Sequence, residues 1–260
     1  MAPPRPTLDK PWSSYLGMDP LIDGPIDASQ AEAIVWLDID NTLYSHMETR
    51  IADLMIDRIR NYFMSLGLDE DEAEYLHKHY YKEYGLAIRG LVRHHTIDPL
   101  DYDQKCDVSL PLDTLLKPDT SVIQLLQSLD RRKTRVYALT NAYKVHARRV
   151  LSLVELETYV DAVVFCDYAN PDFSCKPEPE FYLAAEQAVQ ASPHTRHYFV
   201  DDSVANVRMA TSLGWHSCVL FDETLPDNAS RTREDGVPVI AALPELRTLW
   251  SELFAPGSAS

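Results

Sequence analysis

The string Asp38-Ile39-Asp40-Asn41-Thr42 directly follows a short apolar run, Ala33-Ile34-Val35-Trp36-Leu37. In extended backbone at a strand tip, residues two apart project to the same side, so both carboxylates can face one pocket. Two close carboxylates repel unless a cation or a shared proton intervenes. The pair therefore points to a hard metal, to divided roles as nucleophile and acid/base, or to both. The plain alternative is a turn rich in Asp and Asn, which is common after strands.

Three further groups sit where they can join that pair. Thr140 ends the apolar run Val136-Tyr137-Ala138-Leu139, and Asn141 follows at the expected start of a helix. A hydroxyl and unpaired backbone N–H groups there can hold a phosphoryl oxygen, although an ordinary helix cap has the same appearance. Lys176, in Cys175-Lys176-Pro177, precedes another expected helix and can deliver positive charge; a solvated surface lysine is the alternative. Asp201-Asp202 closes the run Tyr198-Phe199-Val200. Carboxylate-rich oxygen sites suit Mg²⁺, which also binds substrate phosphate, while a structural cap by Asp202 stays open.

The elements that must position these groups alternate along the chain. Continuous apolar runs at 33–37, 136–139, 198–200 and 218–221, with a weaker one at 162–165, fit buried parallel strands. Helical patterns separate them: one capped by Asp119, one over 142–153 and one over 178–189. This alternation predicts a doubly wound α/β core with a parallel sheet, whose ligands bind beyond the carboxyl ends of the strands. Residues 47–117 differ. Ile51, Leu54, Met55, Ile59, Tyr62, Phe63 and Leu66 mark one helical face, and a second helix over 69–84 stops at Gly85. The expected organisation is a flexible, proline-containing arm at 1–30, a core of 31–46 and 118–250, a small inserted helical cap at 47–117, and a flexible tail at 251–260.

Composition limits the partners. The 260 residues are 45% hydrophobic and 25% charged, enough for one sizeable core and a small second lobe. With 24 Lys+Arg against 40 Asp+Glu, the net charge is −16, which repels nucleic-acid polymers and anionic membranes. A small phosphorylated metabolite is compatible, because a metal and local cations can reverse the field inside a pocket. Cys106, Cys166, Cys175 and Cys218 form no C-x-x-C pair, which argues against a zinc site or a disulfide scaffold. With no signal-like apolar stretch in MAPPRPTLDKPW, a soluble cytoplasmic protein is expected, as a monomer or weak oligomer.

The ordered set D-x-D-x-T at 38–42, T-N at 140–141, K-P at 176–177 and D-D at 201–202 resembles the haloacid-dehalogenase-like hydrolase superfamily. The resemblance implies that superfamily's Rossmann-like fold and its phosphoryl chemistry. On that pattern Asp38 is the nucleophile and Asp40 the acid/base, while Thr140 and Lys176 stabilise the transferring phosphoryl group. Mg²⁺ would be held by Asp38, the backbone carbonyl of Asp40 and Asp201, with Asp202 in direct contact or one ligand removed. Asp40 also argues against carbon–halogen cleavage, because the dehalogenases lack an acid at that position.

A narrower resemblance covers Trp36 to Phe221. Asn41-Thr42-Leu43-Tyr44, Tyr80 through Ala87, Arg89-Gly90-Leu91, Ile97-Asp98-Pro99-Leu100 and Cys166-Asp167-Tyr168 look like the fungal and plant pyrimidine 5′-nucleotidase branch. It implies release of phosphate from UMP- or CMP-like nucleotides. In the expected cap, Tyr81, Tyr84 and Arg89 are candidates to meet a nucleobase by stacking or hydrogen bonding, and Asn141 of the core is a further substrate-binding candidate. Packing of the tyrosines within the cap, and pairing of Arg89 with a carboxylate, are the alternatives. Two departures concern the leaving group: one acid in place of two before Leu110-Pro111-Leu112, and Glu178 where the branch often has His. The same chemistry on a prenyl, lipid or sugar phosphate, a phosphomutase, and a non-catalytic scaffold are the competing readings.

Overall fold

The computed structural model describes residues 5–255. Seven strands form one sheet in the order β1-β4-β3-β2-β5-β6-β7: β1 (Gly17–Pro20), β2 (Ala33–Leu37), β3 (Thr134–Thr140), β4 (Ala162–Phe165), β5 (Arg196–Asp201), β6 (Ser217–Phe221) and β7 (Val239–Ile240). All neighbours pair in parallel except β1 with β4. The five apolar runs read from the sequence are all strands.

β2 is the central strand, with Val35 in register with Val136 on one side and Tyr198 on the other. None of its residues is more than 2% exposed, because helices cover both faces. Burial of Ile34, Val35 and Leu37 contributes about 1.5–3 kcal/mol each. From β2 the chain builds β3 and β4 to one side, then crosses to β5 on the other. That reversal opens a crevice at the carboxyl end of β2, the usual ligand position in such sheets.

Seven helices lie between β2 and β3, the first six being α1 (His46–Thr49), α2 (Ile51–Ser65), α3 (Glu70–Tyr84), α4 (Ala87–His94), α5 (Pro99–Lys105) and α6 (Leu112–Leu115). α3 starts in a capping box, in which Asp69 accepts from the Glu72 N–H and Glu72 accepts from the Asp69 N–H. It ends where Gly85 turns left-handed at φ 77°. α4 lies tight against α3 because Gly90 has no side chain; a Cβ there would stand 2.2 Å from the Tyr80 ring. The remaining helices are α7 (Thr120–Gln127), α8 (Lys144–Leu153), α9 (Pro179–Ala188), α10 (Val204–Ser212) and α11 (Leu246–Leu249). No helix among the described residues is long and apolar enough to cross a membrane.

The amino-terminal segment departs from the flexible arm expected of residues 1–30. Residues 17–20 form β1, Leu16 and Ala28 are buried, and Arg148 of α8 binds Asp19 and the Pro20 carbonyl. An edge strand needs only one ladder of hydrogen bonds, so it carries no long apolar run and tolerates Pro20 at its end. Gly17 is required there, since a Cβ would enter the Phe165 ring at 2.2 Å. The expected tail is likewise partly packed: Leu253 is buried and Phe254 bridges to Leu129. Residues 1–4 of the arm and 256–260 of the tail lie outside the described residues.

Trp36 also anchors an aromatic stack beneath the crevice. Its indole N–H donates to His197 Nδ1 at 2.9 Å, and both rings stack on Trp215. Burial pushes His197 down from an ordinary 6.5 to about 4, against an upward pull from Glu186. The unfolded chain therefore takes up the proton first, and stability present above pH 6.5 is lost as pH falls toward 4. The contribution is about 3 kcal/mol. In urea titrations at pH 7 and pH 4, the wild type should lose about that much more unfolding free energy than His197→Gln; equal losses would refute the assignment.

Candidate active site

β2, β3 and β5 lie side by side, so their carboxyl ends deliver Asp38, Thr140 and Asp201 to one edge. Asn41, left-handed at φ 61°, turns the chain back so that the Thr42 hydroxyl donates to Asp38 Oδ2 at 2.8 Å. Lys176 arrives from the loop between β4 and α9. The sequence left it as either a surface lysine or a catalytic one; here it is 1% exposed. Its Nζ donates to Asp38 Oδ1 and Asp201 Oδ2, each at 2.7 Å, and to the Leu139 carbonyl at 2.6 Å. All three ammonium hydrogens are thus in use. Burial favours the neutral amine, but Asp201 and Asp38 outweigh it and raise the lysine above its ordinary value, so it stays charged.

Asn141 lines the cavity, and its side chain also holds the loop that carries Lys176. Its amide oxygen accepts from the Lys176 N–H at 2.8 Å and its amide nitrogen donates to the Lys176 carbonyl at 2.9 Å. Both ends of the side chain clamp the backbone that carries the lysine. Thr140 accepts from the Ala142 N–H at 3.0 Å, leaving its own hydroxyl hydrogen available to an incoming oxygen. Asp201 is held by the Ser203 N–H at 2.8 Å and by the Asn206 amide at 2.9 and 3.1 Å.

Asp38, Asp201 and Asp202 each offer a carboxylate oxygen within 4.8 Å of the others. Burial, then Asp201, push Asp38 up against the pull of Lys176. Asp202 opens onto the cavity and is also pushed up, by burial and by the charges of Asp38 and Asp201. Three crowded carboxylates beside one lysine leave excess negative charge, and the donor set is all oxygen. That combination fits a hard divalent cation such as Mg²⁺.

Asp40 shares the cavity but stands apart from that trio. Its Oδ1 accepts from the Tyr44 hydroxyl and from His146 Nε2, each at 2.7 Å. Burial raises Asp40, yet His146 and Tyr44 outweigh it and hold the carboxyl below its ordinary value. Burial lowers His146, but Asp40, Asp107 and Asp103 raise it to about 9. His146 was not singled out in the sequence. The available signal was its place one residue before Ala147, within the buried stripe of α8 formed with Val150 and Leu151.

Asp38, Asp40, Thr140, Lys176 and Asp202 line a cavity of about 540 Å³ between the sheet edge and the inserted helices, within the usual range for small ligands. Tyr81 and Tyr84 of α3 line it, as expected. Tyr81 is 58% exposed, whereas the Tyr84 hydroxyl bonds His94 at 2.7 Å. Arg89 does not line it: the side chain is buried, and its guanidinium binds Glu178 at 3.1 and 3.3 Å behind the cavity wall. The ion-pair alternative for Arg89 is the observed one. Arg93, Tyr102, Asp107 and Tyr168 are wall residues that the sequence did not assign to substrate.

Residues 33–214 match the haloacid dehalogenase-like hydrolase family. The chain belongs to that family. Phosphate metabolism protein 8 of Saccharomyces cerevisiae is 38% identical over 197 residues, which cover 72% of this chain and 61% of that relative. The chain thus spans about three fifths of the curated relative. Among solved structures, a HAD phosphatase from Thermococcus onnurineus is similar at a TM-score of 0.53 and 22% identity, covering 86% of this chain and all of that one. CbbY of Rhodobacter sphaeroides, solved with phosphate, is similar at 0.54 and 18% identity, covering 82% and 95%. At these identities the two structures speak for the haloacid dehalogenase-like fold.

Two outcomes test the site. Lys176→Met removes one partner of a buried charge cluster and should cost about 3–5 kcal/mol in urea unfolding. Added Mg²⁺ should then raise its melting temperature more than it raises that of the wild type; no Mg²⁺ response in either protein would argue against a cation site. Gly85→Ala places a Cβ 2.5 Å from the Lys176 carbonyl at a φ of 77°. It should destabilise by about 1–3 kcal/mol, and a wild-type melting temperature would refute the contact.

Proposed function

We propose that this hydrolase is a magnesium-dependent phosphatase acting through an aspartyl-phosphate on Asp38, with small phosphomonoesters such as pyrimidine 5′-nucleotides as substrates. The observation that carries the reading is the buried ammonium of Lys176, shared by Asp38 and Asp201 at 2.7 Å. One cation there orients the nucleophile and stands beside the position of the phosphoryl oxygens, where most of the catalysis of phosphoryl transfer lies.

In the first half-reaction a carboxylate oxygen of Asp38 forms a bond to phosphorus as the bond to the leaving oxygen breaks. Asp40 gives that oxygen its proton, so the products are an alcohol and the acyl phosphate. In the second, Asp40 takes a proton from water, the hydroxide bonds to phosphorus, and the bond between phosphorus and Asp38 breaks. Inorganic phosphate and the Asp38 carboxylate result, with Asp40 protonated again. Splitting the hydrolysis in this way replaces one hard step with two easier ones. The carboxylate form of Asp40 favoured by His146 and Tyr44 suits the second step; a dianionic phosphoryl group entering the cavity opposes that charge and favours the acid needed in the first. The Thr140 hydroxyl is available to a phosphoryl oxygen. When bound, Mg²⁺ would offset negative charge on the phosphoryl oxygens, held by Asp38, the Asp40 carbonyl, Asp201 and Asp202.

The cavity wall supports a nucleotide more than a prenyl or lipid chain. Tyr81, Tyr84, Tyr102 and Tyr168 offer aromatic surface, and Lys82, Arg93, Asp107 and Glu178 interrupt the apolar residues Met55, Ile59 and Leu86. A heterocycle with polar edges matches such a mixture better than a hydrocarbon does. The branch resemblance of residues 36–221, and the name of the yeast relative, agree with phosphate release from a metabolite.

Phosphate release across nucleoside monophosphates, sugar phosphates and prenyl phosphates, with and without Mg²⁺, tests the reading. Pyrimidine nucleotides should rank first and EDTA should abolish turnover. Asp38→Asn should lower kcat at least 1,000-fold (roughly the scale of losing a covalent nucleophile) while the circular-dichroism spectrum is unchanged. Substantial turnover by that variant would refute the nucleophile.

A further inference from the structure

Asp40 has two carboxylate oxygens, and only one is engaged. Oδ1 accepts both from the Tyr44 hydroxyl and from His146 Nε2, while Oδ2 takes no hydrogen bond among the described residues. The two donors come from opposite directions along the chain: Tyr44 from the loop after β2, His146 from the first turn of α8. Both are buried, with the His146 side chain 1% exposed, whereas the Asp40 side chain remains 31% exposed toward the cavity.

We propose that His146 and Tyr44 are positioning residues that lock the Asp40 carboxyl by occupying Oδ1, so that Oδ2 alone exchanges protons with the leaving group and with water. The inference rests on Asp40 being the acid/base of the reaction. An aspartate χ2 is otherwise broad and roughly two-fold, and a free carboxyl would divide itself between orientations. Two donors on Oδ1 remove that freedom, and they also leave Oδ2 as the oxygen on which a proton can sit. The acid that protonates the leaving oxygen and the base that activates water are then the same atom.

The inserted helices supply the backing for this lock. Asp103 of α5 and Asp107 in the turn after it are buried, and each has an oxygen without a hydrogen-bond partner among the described residues. The Nδ1 of His146 is likewise unpartnered, and the charges of both acids act on this imidazole. An ionised carboxylate oxygen only accepts, so at 2.7 Å from Asp40 Oδ1 it is Nε2 of His146 that carries the proton and donates. Asp107 also lines the cavity, so the lock is completed by a residue of the substrate-facing wall.

The test compares His146→Leu, His146→Gln, Tyr44→Phe and Asp40→Asn on phenyl phosphate and p-nitrophenyl phosphate. A glutamine amide can still donate to Oδ1; leucine cannot. His146→Leu should lower kcat on phenyl phosphate about 10- to 100-fold with KM within twofold, and His146→Gln should recover most of it. Tyr44→Phe should fall between them. p-Nitrophenolate departs without a proton, so His146→Leu should give a burst of it equal to the enzyme present, followed by slow turnover. Asp40→Asn should share that burst.

Wild-type kcat in His146→Leu would overturn the proposal. So would equal losses in the Leu and Gln variants with unchanged melting temperatures, or a defect confined to KM. If His146→Leu fails to fold, Gln and Tyr44→Phe carry the comparison, and wild-type kcat in Tyr44→Phe together with loss in His146→Gln would overturn it. A burst in Asp40→Asn but not in His146→Leu sinks the positioning role alone. Absence of the burst in Asp40→Asn, with phenyl and p-nitrophenyl phosphates slowed alike, sinks the acid/base reading beneath it.

Discussion

A single ammonium group, shut away from solvent between two aspartates, sets the arrangement of everything around it. Lys176 Nζ bonds Asp38, Asp201 and the Leu139 carbonyl. These partners sit at the ends of β2, β5 and β3, so the lysine ties together three strands whose tips would otherwise bring negative charge close together. A charge buried to this degree is costly unless fully bonded, and full bonding demands that every partner be in place. The cluster is therefore intolerant of small displacements. That intolerance accounts for Asn141, which clamps the lysine's backbone at both the N–H and the carbonyl.

The same loop is where the inserted helices meet the sheet domain. Gly85 ends α3 so close to the Lys176 carbonyl and Pro177 that no side chain could stand there. The Cys175 thiol donates to the Tyr84 carbonyl at 3.3 Å. Two residues beyond the lysine, Glu178 receives both Arg89 and Arg93 of α4. An acid at this position has a physical reason: two guanidinium groups of the inserted helices face it. The cavity wall and the buried lysine are thus one mechanical unit, and the pocket is built on the backbone that positions the charge.

Electrostatically the cavity divides into two parts. On one side three carboxylates crowd a lysine and leave room, in charge and donor type, for a hard cation. On the other, Asp40 is paired with a histidine and a tyrosine and kept apart from that excess. Two aspartates separated by one residue consequently have opposite tendencies: Asp38 is pushed up by burial, whereas the partners of Asp40 overcome its burial. Carboxyls forced apart in this way are what a nucleophile and an acid/base require.

The strands, the helical insertion, and the residues Asp38, Asp40, Thr140, Lys176 and Asp201 were legible in the sequence. Parallel strands buried on both faces must be continuously apolar, and a polar residue ending such a run must lie at the ligand edge. What the sequence could not supply were contacts between residues distant along the chain. His146 reaches Asp40 across 106 positions and Arg89 reaches Glu178 across 89; neither pair leaves a local pattern. The amino-terminal edge strand was hidden for a related reason, since an edge is held by backbone hydrogen bonds that any extended segment can make. Residue type and spacing decided which groups could do the chemistry. Tertiary packing alone decided which of them touch, because contact, burial and the resulting charge balance depend on distance in space.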